Sequence, residues 1–228
     1  MPVDAEPTRQ KLLDAATRLF AERGVDAVTL GEINRSAGQR NNSALHYHFG
    51  NREALFRALL HPFSEAIRER RFELIDAAGS NCSVRVAAEV MVRPQAEFAT
   101  RGWRERALSR IVADLLANPH YPYARFDSLL GDRATDAMQT LVLRSIRHLP
   151  KRVAGERLRV ASTLVVHAVS DWARHVDALQ SGGDAMPPAS LFVENLIDMI
   201  AGALGAPASE EARAARPPRA PGPLRPAR

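Results

Sequence analysis

Arg40, Asn41, Asn42 and Ser43 place four hydrogen-bonding side chains in a row. An arginine fork can take guanine O6 and N7 together, an asparagine amide can take adenine N6 and N7, and a serine hydroxyl serves base edges or phosphates. The run has that use only at the start of a helix that enters a major groove. Elsewhere an arginine is a solvated surface charge and Asn41 or Asn42 is a helix cap. Spacing alone leaves open which of the four would read a base. His167, Asp171 and His175 lie four apart, so they share one helical face and could form part of a metal or polar-ligand site. Hydrogen bonding to neighbouring helices is the commoner fate of such residues, and no metal is assigned to them. His46 and His48, two apart on a helix, would splay their rings. Cys82, the single cysteine, has no resolving partner and reads as incidental. Residues 53–204 contain no phosphate loop, Cys-x-x-Cys, His-Glu-x-x-His or Gly-x-Ser-x-Gly, so neither an enzyme nor a cofactor is expected.

The elements that must position these residues are all helical. Leu12, Leu13, Ala16, Leu19 and Phe20 follow the three-and-four spacing of a helix over about 7–23, which Pro7 can open and Gly24 can close. Thr29-Leu30-Gly31-Glu32 reads as a capping box, with Val28 and Ile33 at the staple positions. The short helix that it starts runs to about Ser36, with Gly38 suited to a left-handed stop. A third helix begins at Asn41 or Asn42 and carries Ala44, Leu45, Tyr47, His48 and Phe49. After Gly50-Asn51, Arg52 opens a long helix with Leu55, Leu59, Phe63, Ile67 and Leu74 on its apolar side. A tight glycine turn between the second and third helices is a helix-turn-helix arrangement. Further helices are predicted over 83–100, 103–117, 127–148, 155–181 and 188–204, with breaks at Gly102, Asn118-Pro119, Gly131-Asp132, Pro150, Gly182-Gly183 and Pro187-Pro188. No alternating run bounded by hairpin turns is present, so the expected fold is all-α. The expected domains are 1–51, 52–205 and a Pro/Arg-rich tail over 206–228, which has little to bury and is expected to be disordered apart from one helical turn at 209–215.

The 228 residues are ample for a buried core, and 46% hydrophobic with 25% charged is ordinary for a globular chain. The net charge of +5 is modest, and its position matters more than its size. Residues 35–57 hold arginines 35, 40, 52 and 57 against Glu53 alone, and the tail holds five arginines against Glu210 and Glu211. Both stretches attract phosphate. The acidic start, Met1 to Pro7, lacks an apolar signal region, and no run of 18 apolar residues could span a bilayer. Together with the lone cysteine, this leads to the expectation of a cytoplasmic protein without membrane partners.

Four stretches carry a resemblance: Leu19-Phe20-Ala21-Glu22-Arg23-Gly24; Thr29-Leu30-Gly31-Glu32-Ile33; Ser36-Ala37-Gly38; and Leu45-His46-Tyr47-His48-Phe49-Gly50-Asn51-Arg52-Glu53-Ala54-Leu55. In order and spacing they resemble the N-terminal DNA-binding region of the tetracycline-repressor (TetR) family of bacterial transcriptional regulators, over about residues 9–60. Two departures stand out. Gln39-Arg40-Asn41-Asn42 is one residue longer than the family's usual turn, and His46 occupies a position most often Tyr. The resemblance implies that Thr29, His46, Tyr47 and Arg52 grip the DNA backbone around the readout residues Arg40, Asn41, Asn42 and Ser43. Leu45 and Phe49 are assigned to the module's own core.

For the larger domain, the resemblance implies an effector pocket for a small, mostly apolar molecule. Candidates to line it are Phe98, Trp103, Leu108, Ile111, Leu115, Phe126, Met138, Leu141, His167, Asp171 and Trp172, although residues of these types are commonly plain core. It also implies a homodimer paired through the last two helices, whose apolar faces carry Leu158, Val165, Leu191, Phe192, Leu196 and Met199. The expected function is a ligand-responsive regulator, most simply a repressor, released from a palindromic double-stranded DNA operator by its effector. The alternative is an all-α small-molecule carrier or sensor without DNA-binding activity.

Overall fold

The computed structural model describes residues 5–39, 44–119, 133–182 and 188–215. Arg40 to Ser43, Phe126, the turns at Gly131-Asp132 and Gly183, the start of the predicted 127–148 helix and residues 216–228 of the predicted tail lie outside them.

Local signals set the first helices. α1 (Ala5–Arg23) ends where Gly24 takes φ +85°. α2 (Leu30–Ser36) starts on Thr29, whose hydroxyl accepts from the Glu32 amide while Glu32 accepts from the Thr29 amide. Gly38, at φ +71°, turns the chain toward α3 (Ala44–Phe49). The Asn51 side chain caps α4 (Arg52–Ala78) by accepting from the Ala54 amide. The body follows with α5 (Val84–Thr100), α6 (Trp103–Ala117), α7 (Arg133–Ser145), α8 (Lys151–Gly182) and α9 (Ala189–Gly205), then the short α10 (Glu210–Ala214). No strand occurs among the described residues. None of their helices is long and apolar enough to cross a membrane.

Two of these elements differ from expectation. α8 begins at Lys151, four residues before the predicted start, and passes through Gly155. A glycine inside a helix costs roughly 1 kcal/mol relative to alanine, a small penalty beside the burial of Ala154 in the core and the bond from the Ala154 amide to the Pro150 carbonyl. Residues 206–215 are also tied down. Arg157 donates from Nη1 to the carbonyls of Leu204 (2.8 Å) and Ala206, and from Nη2 to that of Pro207 (3.2 Å), while Arg152 reaches the Arg213 carbonyl. Hydrogen bonds to backbone hold this segment on α8 where apolar burial is scarce.

The core forms two clusters. One combines Leu12, Ala16 and Phe20 of α1 with Ile33, Leu45 and Phe49, then Leu55, Phe56, Leu59 and Phe63 of α4, and finally Phe98, Ile111, Val112 and Leu115. It therefore runs across the boundary expected at 51/52, because α4 serves both sides. The other gathers α5, α7, α8 and α9 around Met91, Val142, Ile146, Val165, Val169, Ile197 and Ile200. α6 is fixed to α8 by a buried ion group in which Arg106 Nε meets Asp177 at 2.6 Å and Arg110 Nη2 meets it at 3.3 Å. Burial pushes the Arg110 guanidinium below its ordinary value, and Asp177 pulls it back up.

Candidate nucleic-acid interface and the cavity behind it

α3 is held from below and presents its outer side. Leu45 and Phe49 are buried, Asn34 of α2 accepts from the Leu45 amide at 3.1 Å, and Arg9 of α1 lies 5.4 Å over the Phe49 ring. His46 and Tyr47 face outward, Tyr47 with 81% of its surface exposed. Thr29 is exposed at the start of α2, where its hydroxyl also donates to Glu32 at 2.8 Å. Arg23 donates to the same carboxylate at 2.8 Å. The two bonds from Thr29, the Arg23 bond and the Arg23 charge hold the Glu32 carboxyl down from its ordinary 4.5 to about 2.

Arg52 behaves differently from the backbone-gripping role expected of it. Its guanidinium donates to the carbonyls of Val28 (2.9 Å) and Val25 and lies over the adjoining Phe20 and Phe56 rings, 5.2 and 5.4 Å from their centroids. Its planar fork and charge are spent joining the α1–α2 turn to α4. The structure thus brings Thr29, His46 and Tyr47 to the outer side and turns Arg52 inward.

Asn34, Asp114 and Asn118 escaped the sequence reading. Asn34 carried a signal, since it is a polar residue beside buried Ile33 on a short amphipathic helix. Asp114 and Asn118 carried none, because their partners are about ninety positions away. The Val25 amide donates to Asp114 Oδ2 at 2.6 Å, and Asn118 Nδ2 donates to Asp26 at 2.7 Å. With the Arg104–Asp14 pair at 2.6 Å, they clasp the N-terminal module to α6.

Behind this clasp lies a cavity of about 740 Å³ between α4, α5, α6, α7 and α8. Its walls include Phe63, Ile67, Met91, Val112, Met138 and Leu158, and its polar groups include Arg71, Gln95 and His167. Of the expected lining residues, Met138 and His167 are at its surface. Phe98, Leu108, Ile111 and Leu115 face the N-terminal module's core instead. Leu141 and Trp172 are in the other core cluster, Trp172 stacked on Phe192 at 5.1 Å. Trp103 is 42% exposed, and Asp171 is exposed and bonded to Arg174, so neither is a wall of a closed site. His175 is exposed as well. Among the described residues no group of three or more His, Cys, Asp or Glu could hold a metal.

The apolar faces of the last helices are rotated relative to expectation. Val165 and Leu196 are buried in the chain's own core, Leu158 lines the cavity and Phe192 packs on Trp172, so these four are occupied within one chain. Leu191 and Met199 are exposed, as are Val160 and Leu164 one face around α8.

Residues 12–59 match the family described as bacterial regulatory proteins, tetR family. The chain is 43% identical over 53 residues to the HTH-type transcriptional regulator AcrR of Shigella flexneri, covering 23% of this chain and 24% of that one. It is 30% identical over 88 residues to the HTH-type transcriptional repressor AcnR of Corynebacterium efficiens, covering 39% and 43%. The matches thus span from about a quarter to two-fifths of these curated relatives, which are transcriptional regulators rather than enzymes. Over most of the length the fold is similar to solved structures of low identity. One is NalD, the secondary repressor of the MexAB-OprM multidrug efflux pump in Pseudomonas aeruginosa (TM-score 0.53, 20% identity, 86% of this chain and 95% of that one). Another is a TetR family transcription regulator from Marinobacter aquaeolei VT8 (TM-score 0.54, 16% identity, 89% and 98%).

Proposed function

We propose, from the match of residues 12–59 to the tetR family of bacterial regulatory proteins, that the chain is a DNA-binding transcriptional regulator of that family, a repressor whose operator affinity is set by a small molecule in the cavity. The observation that carries this reading is the sharing of helices. α4 packs against α1 and α3 through Leu55, Phe56 and Leu59, and one turn further on it lines the cavity with Phe63, Ile67 and Arg71. α6 lines it with Val112 and holds the Val25 amide through Asp114. A ligand that favours one arrangement of these helices thereby favours one placement of α3, and DNA and ligand affect each other's affinity equally.

In this reading Arg40, Asn41, Asn42 and Ser43 make the base contacts, with Thr29, His46 and Tyr47 on phosphates. Arg52 is the brace beneath them. The protein acts as a homodimer so that two copies of α3 reach successive major grooves, about 34–36 Å apart. The exposed Val160, Leu164, Leu191 and Met199 supply the pairing face, beside a groove of about 550 Å³ along α8 and α9. The site of action is the cytoplasm.

Gel retardation with the DNA flanking the protein's own gene tests the proposal. A specific, competitor-resistant complex that Arg40→Ala with Asn42→Ala abolishes is expected. The absence of any such complex would instead favour a ligand carrier without DNA-binding activity.

A further inference from the structure

Asn34 is a polar side chain in an apolar place. It lies 1% exposed on α2 beside the fully buried Ile33, and a carboxamide taken out of water is costly unless it is bonded. Its two oxygens account for it. The backbone oxygen accepts from the Gln39 amide at 2.9 Å, where the chain leaves α2, and the side-chain Oδ1 accepts from the Leu45 amide at 3.1 Å, where the chain enters α3. One buried residue thus holds both ends of the segment that joins α2 to α3. Between those ends, in sequence, stands Arg40 to Ser43, the run assigned to base reading. Other contacts of α3 are of another kind. Leu45 and Phe49 are buried and Arg9 lies over the Phe49 ring, and apolar contacts of this sort keep a helix against its neighbours without fixing its rotation. A six-residue helix also has little stability of its own.

We propose that Asn34 is a positioning residue for DNA reading: through Oδ1 it sets the rotation and slide of α3 over α2, and so the pose of the outward His46 and Tyr47. The consequence for operator choice rests on the proposed function, whereas the effect on α3 does not. A hydrogen bond is directional, and Leu45, at 1% exposure, is out of reach of solvent as a substitute acceptor. Base edges are read by hydrogen bonds that demand close placement, while attraction to phosphates survives a displaced helix. A loosened α3 therefore loses its preference among sequences before it loses DNA. A turn one residue longer than the family's usual one would also shift the start of α3 unless something outside the turn fixed it, and Asn34 stands on α2, outside the turn.

Two measurements on the full-length protein test this: amide hydrogen exchange by NMR without DNA, and fluorescence anisotropy with the DNA flanking the protein's own gene and with a scrambled duplex. Each variant is compared where circular dichroism shows it fully folded. In the wild type the Leu45 amide is expected to be protected. Asn34→Leu keeps a branched side chain and removes the acceptor, and Asn34→Ala removes both. Each should speed exchange at Leu45, His48 and Phe49 at least about tenfold, lower affinity for the flanking DNA at least about tenfold, and leave affinity for the scrambled duplex within about twofold. Val142 is buried in the other core cluster, so Val142→Ala weakens the fold away from α3 and should keep both the exchange of α3 and the sequence preference. If Asn34→Ala does not fold, Asn34→Leu carries the test, and an unprotected Leu45 amide in the wild type overturns the inference without any variant. Unchanged α3 exchange, an unchanged sequence preference, or an equal loss of preference in Val142→Ala would each overturn it as well. A protein that selects the flanking DNA while its α3 exchange ignores Asn34 keeps its regulatory role and loses this one for Asn34. One whose α3 loosens as expected but which binds no DNA selectively upholds the hold on α3 and refutes the regulatory role.

Discussion

One carboxylate organises the start of α2. Glu32 accepts from the Thr29 amide and hydroxyl and from Arg23, and that company holds it ionised far into acid. Its folded value lies below its ordinary one, so its stabilisation is complete above about pH 4.5 and is lost as pH falls from there toward 2. Glu32→Gln should therefore flatten the acid limb of a urea-midpoint profile. Equal slopes in the two proteins would contradict this. Asn34 holds a different kind of bond, because its acceptor meets the amide of buried Leu45. Asn34→Ala should destabilise the fold by about 1–3 kcal/mol, read by urea unfolding, because it leaves that amide unmet. The capping box was legible in sequence since Thr29 and Glu32 are three residues apart. The inward turn of Arg52 was not, for its acceptors at Val25 and Val28 become neighbours only after α1 and α4 have packed.

At the scale of elements, α6 has two working sides. Val112 touches the cavity, Asp114 and Asn118 hold the turn after α1, and Arg106 and Arg110 anchor the helix to α8 through Asp177. A helix clamped at both sides transmits displacement better than a loose one. Asp114→Ala should thus uncouple rather than disable: ligand and DNA should each bind within a few-fold of wild type, while the ligand-induced loss of DNA affinity shrinks from a coupling typically worth about 1–3 kcal/mol. Fluorescence anisotropy with and without ligand measures this, and an undiminished release would show that the clasp is not on the route. Helix limits were legible wherever a cap or a left-handed glycine marked them, as at Gly24, Gly38 and Asn51. α8 was read as starting at 155, some residues past the break at Pro150, whereas the burial of Ala154 against other helices decides the matter.

For the whole molecule, the family resemblance implied a cavity, and residue types did not locate it. Phe98, Ile111 and Leu115 have the right character, but the side of α5 and α6 that they occupy faces the N-terminal module, and only the packed arrangement of five helices determines which side is hollow. The same holds for the pairing face, where Val165 and Leu196 are indistinguishable by type from the exposed Val160 and Leu164. Replacing Val160 and Leu164 with Glu should give a folded monomer in sedimentation equilibrium with weakened binding to a two-half-site operator. A persistent dimer would place pairing elsewhere. The division of the cavity wall also shapes how such a protein can change over generations or in a designer's library. Phe63, Ile67 and Val112 belong to the cavity and to the N-terminal module's core at once, so under the proposed function altering them would retune ligand and DNA together. Met138, Gln139, Leu158 and Ser162 border the cavity but lie outside that core. New specificities can therefore be cut into the α7 and α8 walls while the DNA-reading end is left intact, which makes that half of the wall the natural ground for diversification and for biosensor engineering.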